Sequence, residues 1–92
     1  MILSNEPGFY KKNNFGIRIE NLIYCKKINN NYLKFTNLTM VPIDKECINK
    51  KFLNKKEINW INNYHQRIFY MLKPFMNNFE LRILTNACSV IA

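Results

Sequence analysis

The spacing of apolar residues changes near Asp44, and this change divides the chain into two kinds of secondary structure. From Phe15 to Tyr24, apolar residues alternate with others at the two-residue period of a β-strand with one buried face. The polar stretch Lys26 to Asn31 then suits a hairpin turn, and Tyr32 to Ile43 reads as a second extended segment. We therefore predict that the part of the chain before Asp44 is β-structure.

The pattern after Asp44 is helical. Asn54 is followed three residues later by Glu57, which is the signature of a helix N-cap with a reciprocal acid. Apolar or aromatic residues and one histidine then recur at helical spacing: Ile58, Ile61, Tyr64, His65, Ile68 and Leu72. This pattern predicts a helix from about Lys55 to Lys73, ended by Pro74.

A weaker helical pattern around Phe79 and Ile83 predicts a short second helix. The fold class expected is therefore α+β, with antiparallel strands followed by one long helix and a short one. A chain of 92 residues makes at most one domain with a small core. Its 48% hydrophobic content is too high for a disordered chain.

The charge balance points first to an anionic partner. The chain has 14 basic and 6 acidic residues, a formal net charge of +8, which suggests a nucleic-acid partner. The lysine doublets are scattered, however, and no nucleic-acid-binding motif accompanies them. A small basic nucleic-acid-binding or assembly module is the alternative function, and nucleic acid is not favoured.

Targeting and redox signals are sparse. No apolar run reaches the roughly 18 to 20 residues of a membrane span, and the first residues lack the basic start of a signal peptide. Three cysteines without a Cys-x-x-Cys pair indicate reduced thiols. These features predict a cytoplasmic protein without a membrane partner.

Two acidic residues stand where acids are costly unless they are used. Glu6 precedes the turn signal Pro7-Gly8, and Glu20 lies within the predicted strand on the same face as Arg18. If the strand ending near Glu6 pairs with this one, both carboxylates could face one point. Two carboxylates suit a divalent cation but are too few for a complete site. A surface ion pair is the alternative.

Two stretches in the first half of the chain resemble a known family. They are Ser4-Asn5-Glu6-Pro7-Gly8-Phe9-Tyr10 and Phe15-Gly16-Ile17-Arg18-Ile19-Glu20-Asn21. They closely resemble the last two metal-ligand motifs of aminopeptidase P, the Xaa-Pro aminopeptidase of the pita-bread metallopeptidase superfamily. Residues 32–44 are similar to the strand that follows, and residues 57–65 to the C-terminal helix of its longer members.

The resemblance implies a C-terminal fragment of a pita-bread fold. Residues 1–44 would be the C-terminal β part of the catalytic domain, and residues 45–92 the helical C-terminal region of the long form. Family members hold two metal ions, usually manganese, with two aspartates, a histidine and two glutamates. They are metallopeptidases that hydrolyse the peptide bond before a proline at the second position.

The matching positions give each site residue an expected role. Glu6 would be a metal ligand and the proton shuttle, and Glu20 would bridge both metals. Arg18 would orient Glu20. Pro7 and Gly8 would form the turn that aims Glu6, and Tyr10 would line the site.

The resemblance also implies what is missing. The two aspartates and the metal-binding histidine of the family precede the Glu-Pro-Gly motif, so this chain supplies two of five ligands and is expected to be inactive alone. His65 falls in the helix match and is expected to be a structural residue. The expected partners are an upstream catalytic segment and, through the helix, a second copy of the chain; packing of the helix on the chain's own sheet is equally compatible.

Overall fold

A computed structural model describes residues 1–92 and divides them into two compact units, residues 1–39 and 40–92. The first unit contains five strands: β1 (Ile2–Asn5), β2 (Gly8–Lys11), β3 (Phe15–Arg18), β4 (Asn21–Lys27) and β5 (Leu33–Asn37). The second contains two α-helices, α1 (Lys55–Leu72) and α2 (Asn78–Ala87), and short 3₁₀ turns at Lys45–Cys47, Lys50–Phe52 and Lys73–Phe75. The predicted order of strands, long helix and short helix is confirmed.

All strand pairs of the first unit are antiparallel. Strands β1, β4 and β5 form one sheet in the order β1-β4-β5, and β2 and β3 form a separate hairpin. The turn of this hairpin contains Asn13 at φ 58°, a left-handed conformation that asparagine tolerates. The predicted hairpin between the two extended segments is confirmed, since β4 pairs with β5 and the N–H of Ile28 donates to the carbonyl of Tyr32.

The strand predicted from Phe15 to Tyr24 is interrupted. Strand β3 pairs with β2, whereas β4 pairs with β1, and Ile19 and Glu20 lie in neither strand. The prediction that Glu20 lies inside a strand is therefore wrong. Pro7 stands across the interruption; its carbonyl accepts the N–H of Ile19 at 3.1 Å, but proline has no N–H to continue the ladder.

Two further details of the β-structure differ from expectation. Ile17 and Ile19 were expected on a buried strand face, but their side chains are 50% and 43% exposed. Strand β5 ends at Asn37, well before the predicted Ile43. Beyond it, the N–H of Leu38 still donates to the carbonyl of Leu22 at 2.7 Å, but the N–H of Leu22 donates to the hydroxyl of Thr39, also at 2.7 Å, and not to a backbone carbonyl.

Both α-helices begin with the same reciprocal cap. At α1 the Asn54 side chain accepts the N–H of Glu57 and the Glu57 carboxylate accepts the N–H of Asn54, at 2.8 and 2.9 Å. Asn77 and Glu80 repeat the arrangement at α2. Each N-cap is worth about 1 kcal/mol. The predicted start of α1 is confirmed, and the helix ends at Leu72, one residue before the predicted Lys73.

The core of the second unit is small. Tyr64 and Ile68 of α1 pack with Leu84 of α2, and Ile68 is only 1% exposed. Five partly buried residues surround this cluster: Met40, Phe69, Leu72, Met76 and Cys88. The two helices are therefore joined by a few apolar side chains. Neither helix has the length and apolar character needed to cross a membrane.

Candidate functional site

The register of the strands sets Glu6 against Glu20. The residue pairs on either side of the interruption are Asn5 with Asn21 and Gly8 with Arg18. Each side of the ribbon has two residues between these pairs, so Pro7 lies across from Ile19 and Glu6 across from Glu20. The sequence predicted that the two carboxylates would face one point only if the strand before Glu6 pairs with the segment around Glu20. The structure contains this pairing.

Arg18 contacts both carboxylates. One guanidinium nitrogen lies 3.8 Å from Glu6 Oε1, and the other lies 3.6 Å from Glu20 Oε2. The hydroxyl of Ser4 donates to the second oxygen of Glu6 at 3.2 Å. The predicted contact of Arg18 with Glu20 is present, and the contact with Glu6 is additional. Because the three charged side chains are 41–52% exposed, the pairs add little stability, and their main effect is to hold the carboxylates together.

Tyr10 lies flat across the β2–β3 hairpin. An added Cβ at Gly8 would meet the Tyr10 hydroxyl oxygen at 2.8 Å, and one at Gly16 would meet ring carbon Cδ1 at 2.6 Å. The ring therefore runs from Gly16 toward Gly8, which pairs with Arg18. Alternation places Tyr10 and Arg18 on the same face of the hairpin. Sequence reasoning missed Gly16, although a glycine within a strand is a known sign of close approach.

The opposite face of the hairpin is apolar. The rings of Phe9 and Phe15 lie 6.0 Å apart at their centroids, and both side chains are more than half exposed. The hairpin therefore separates a polar face, with Arg18 and Tyr10, from an apolar face that the first unit leaves uncovered.

The carboxylate pair fits a divalent cation as part of a ligand set. Two carboxylates that converge on one arginine offer the hard oxygen donors that such ions prefer. The 92 residues contain no group of three or more His, Cys, Asp or Glu side chains that could hold a metal ion. Glu6 and Glu20 thus form a partial site, and His65 belongs to α1 of the second unit.

The chain is similar to known proteins over most of its length. A family described as the C-terminal region of peptidase M24 matches residues 31–91. A probable Xaa-Pro aminopeptidase P of Arthroderma benhamiae is 38% identical over 87 residues, covering 87% of this chain and 12% of the relative. A putative Xaa-Pro aminopeptidase of Saccharomyces cerevisiae is 46% identical over 77 residues, covering 82% of this chain and 10% of the relative.

A solved structure matches both units of the chain. It is the X-prolyl aminopeptidase of Caenorhabditis elegans, a cytosolic enzyme with a di-nuclear active site, with a TM-score of 0.83 and 38% identity over 98% of this chain and 16% of that one. This match confirms the predicted fold. The chain spans about an eighth of the length of the curated relatives that it matches. The family match extends over about two thirds of the sequence, residues 31–91, and shows that the chain belongs to the family described as the C-terminal region of peptidase M24.

Proposed function

We propose that these residues form the C-terminal part of a metal-dependent aminopeptidase that removes the residue before a proline at the second position of a peptide. The observation that carries the proposal is the convergence of Glu6 and Glu20 on Arg18. The Xaa-Pro aminopeptidase relatives support the substrate class, and the di-nuclear centre of the Caenorhabditis elegans enzyme supports the metal.

Glu6 and Glu20 contribute two of five metal ligands in this proposal, and residues outside this sequence contribute the others. The ions are divalent, with manganese as the expected metal, and they would supply Lewis-acid polarisation of the scissile carbonyl. Glu6 accepts the proton of the attacking water and returns it to the leaving amine. Ser4 and Arg18 hold the two oxygens of Glu6 in place during this transfer.

Three further properties belong to the same proposal. The complete enzyme works in the cytosol, as the Caenorhabditis elegans enzyme does. Its β part ends near residue 44, and its helical region follows. It forms a homodimer through α1, a proposal supported by the exposure of Trp60, Tyr70 and Met71, each more than half exposed.

The isolated chain is expected to bind manganese weakly and to hydrolyse no Xaa-Pro peptide, because two carboxylates are too few ligands for a divalent ion. Calorimetric titration with manganese and an assay with an Xaa-Pro tripeptide check both expectations. The complete protein that carries these residues should hydrolyse the same peptide. Tight stoichiometric binding by the isolated chain, abolished by Glu20→Ala, would contradict the shared site.

Arg18→Met in the complete enzyme is expected to lower metal affinity by roughly 10 to 100-fold, the usual loss when a side chain that orients a metal ligand is removed. The reason is that methionine has similar length but cannot hold the two carboxylates at one point. The measurement is the manganese dissociation constant from activity regained at rising metal concentration. Arg82→Met, an exposed position in α2, is the matched control, and equal affinities for both variants would rule out the positioning role.

A further inference from the structure

His65 joins α1 to the segment that precedes it. The side chain is fully buried, at 0% exposure, and its Nε2 accepts the N–H of Ile43 at 3.0 Å. The neighbouring residue Tyr64 donates its hydroxyl to the carbonyl of Val41 at 2.9 Å. Two adjacent side chains of α1 therefore hold both ends of the short segment Val41 to Ile43.

The hydrogen bond to Ile43 defines the state of the imidazole. An Nε2 atom that accepts a hydrogen bond carries no proton, so the neutral ring is protonated on Nδ1. That Nδ1 is buried and has no hydrogen-bond partner. A buried donor of this kind has lost the hydrogen bond that water would offer it, and this loss is unfavourable. Of the two ring nitrogens of His65, only the acceptor Nε2 is hydrogen-bonded.

The surroundings of His65 oppose a second proton. Burial lowers the pKa of His65 below its usual value, and the positive charge of Lys45 lowers it further. Lys45 itself donates to the carbonyl oxygen of Asn86, in the last turn of α2, and to that of Ser89, just after the helix. The other titratable groups of this unit's core are the Tyr64 phenol, in ring contact with His65, and the Cys88 thiol, whose pKa is raised by burial. Neither of these two gains a charge in mild acid.

We propose that His65 is a proton-operated latch, which holds the segment Val41 to Ile43 on α1 when neutral and releases it when protonated. Protonation converts the accepting Nε2 into an N–H that faces the N–H of Ile43, so the hydrogen bond becomes a repulsive contact. It also leaves both ring nitrogens as buried donors without acceptors. The latch involves none of the residues of the carboxylate pair and is independent of the proposed function.

The direction of the pH effect follows from the lowered pKa. The unfolded chain takes up the proton near the ordinary histidine pKa of about 6.5, whereas the latched state takes it up at lower pH. The latch therefore contributes its full stability above about pH 6.5 and loses it as the pH falls toward the pKa of the latched state.

Hydrogen exchange of the 92-residue chain, measured by mass spectrometry at about pH 7.5 and about pH 5 and corrected for intrinsic rates, tests the latch. Protection of the Ile43 amide is expected to fall by about tenfold or more at the lower pH, while amides near Ile68 in α1 keep theirs. His65 is the only histidine of the chain, so no other imidazole contributes. His65→Gln retains an accepting oxygen without titrating, and its Ile43 protection should not depend on pH.

Three results would overturn the latch. The first is equal corrected exchange of Ile43 at both pH values, and the second is the same acid-induced loss in His65→Gln. The third is a parallel loss near Ile68, which would indicate global acid unfolding. If the His65→Gln variant fails to fold, the nitrogen-15 chemical shifts of the His65 ring in the unaltered chain test the latch instead. They report which ring nitrogen carries the proton, and a protonated Nε2 at about pH 7.5 would overturn the latch.

Discussion

Glu6→Gln in the complete enzyme is expected to reduce kcat for Xaa-Pro peptides by roughly 10² to 10⁴-fold, the range that general acid–base catalysis contributes. Glutamine keeps the shape of the side chain and can still accept the hydroxyl of Ser4. It cannot take up and return a proton at physiological pH, and it loses the negative charge that faces Arg18. Measured kcat at saturating manganese separates the loss of proton transfer from a loss of metal.

Glu46→Gln is the matched control for this substitution. It makes the same chemical change at an exposed acid of the 3₁₀ turn Lys45–Cys47 in the second unit, and it should leave kcat within about twofold, as most surface substitutions do. A Glu6→Gln enzyme with full metal content and unchanged kcat would exclude Glu6 as the proton shuttle.

Ile68→Ala is expected to destabilise the second unit by about 2 to 5 kcal/mol, the usual cost of removing a large aliphatic side chain from a core. Ile68 is 1% exposed and packs with Tyr64 and Leu84, the other two members of a small core. Domains of this size are stable by only about 0.05 to 0.15 kcal/mol per residue. The expected destabilisation is therefore a large fraction of the free energy of unfolding of the second unit.

Urea unfolding followed by far-ultraviolet circular dichroism at the helix wavelengths measures this effect. Ile83→Ala makes the same change in α2 at a side chain that is 55% exposed, and it should cost far less. Equal unfolding midpoints for the two variants would show that Ile68 does not anchor the helices.

Local signals predicted the helices better than the sheet. The reciprocal pair Asn54 and Glu57 is a short-range motif, so the start of α1 could be read directly from the sequence. Asn77 and Glu80 form the same motif at α2. The apolar spacing after them is weaker, so the start of α2 was not predicted from this motif. Caps can be read locally because all their partners lie within three residues.

The site depends on longer-range pairing. The sequence predicted Glu6, Glu20 and Arg18 as one group, and the structure brings all three together. The contact of Arg18 with Glu6 could not be read from alternation, since it depends on the register of two strands separated by a turn. The interruption at Ile19 and Glu20 was missed for the same reason, because it depends on Pro7, which lies between β1 and β2 across from Ile19 and has no N–H to continue the ladder.

Tertiary contacts also ended the second extended segment early. The sequence between Leu38 and Ile43 has strand-like composition, but Tyr64 and His65 of α1 capture Val41 and Ile43 instead of a neighbouring strand. Side chains more than twenty positions away decide this outcome, and the local sign of it is Pro42, which limits a strand to an edge or an end. The structural role expected for His65 fits its burial, whereas its single accepting contact was not foreseeable.

Tyr10 covers both glycines of the chain, which has only two. Any side chain at Gly8 or Gly16 would collide with the tyrosine ring or its hydroxyl. The three positions are therefore coupled: a change at either glycine becomes sterically acceptable only after the ring at position 10 has been lost or has moved. The order in which these three positions can be substituted is therefore set by Tyr10.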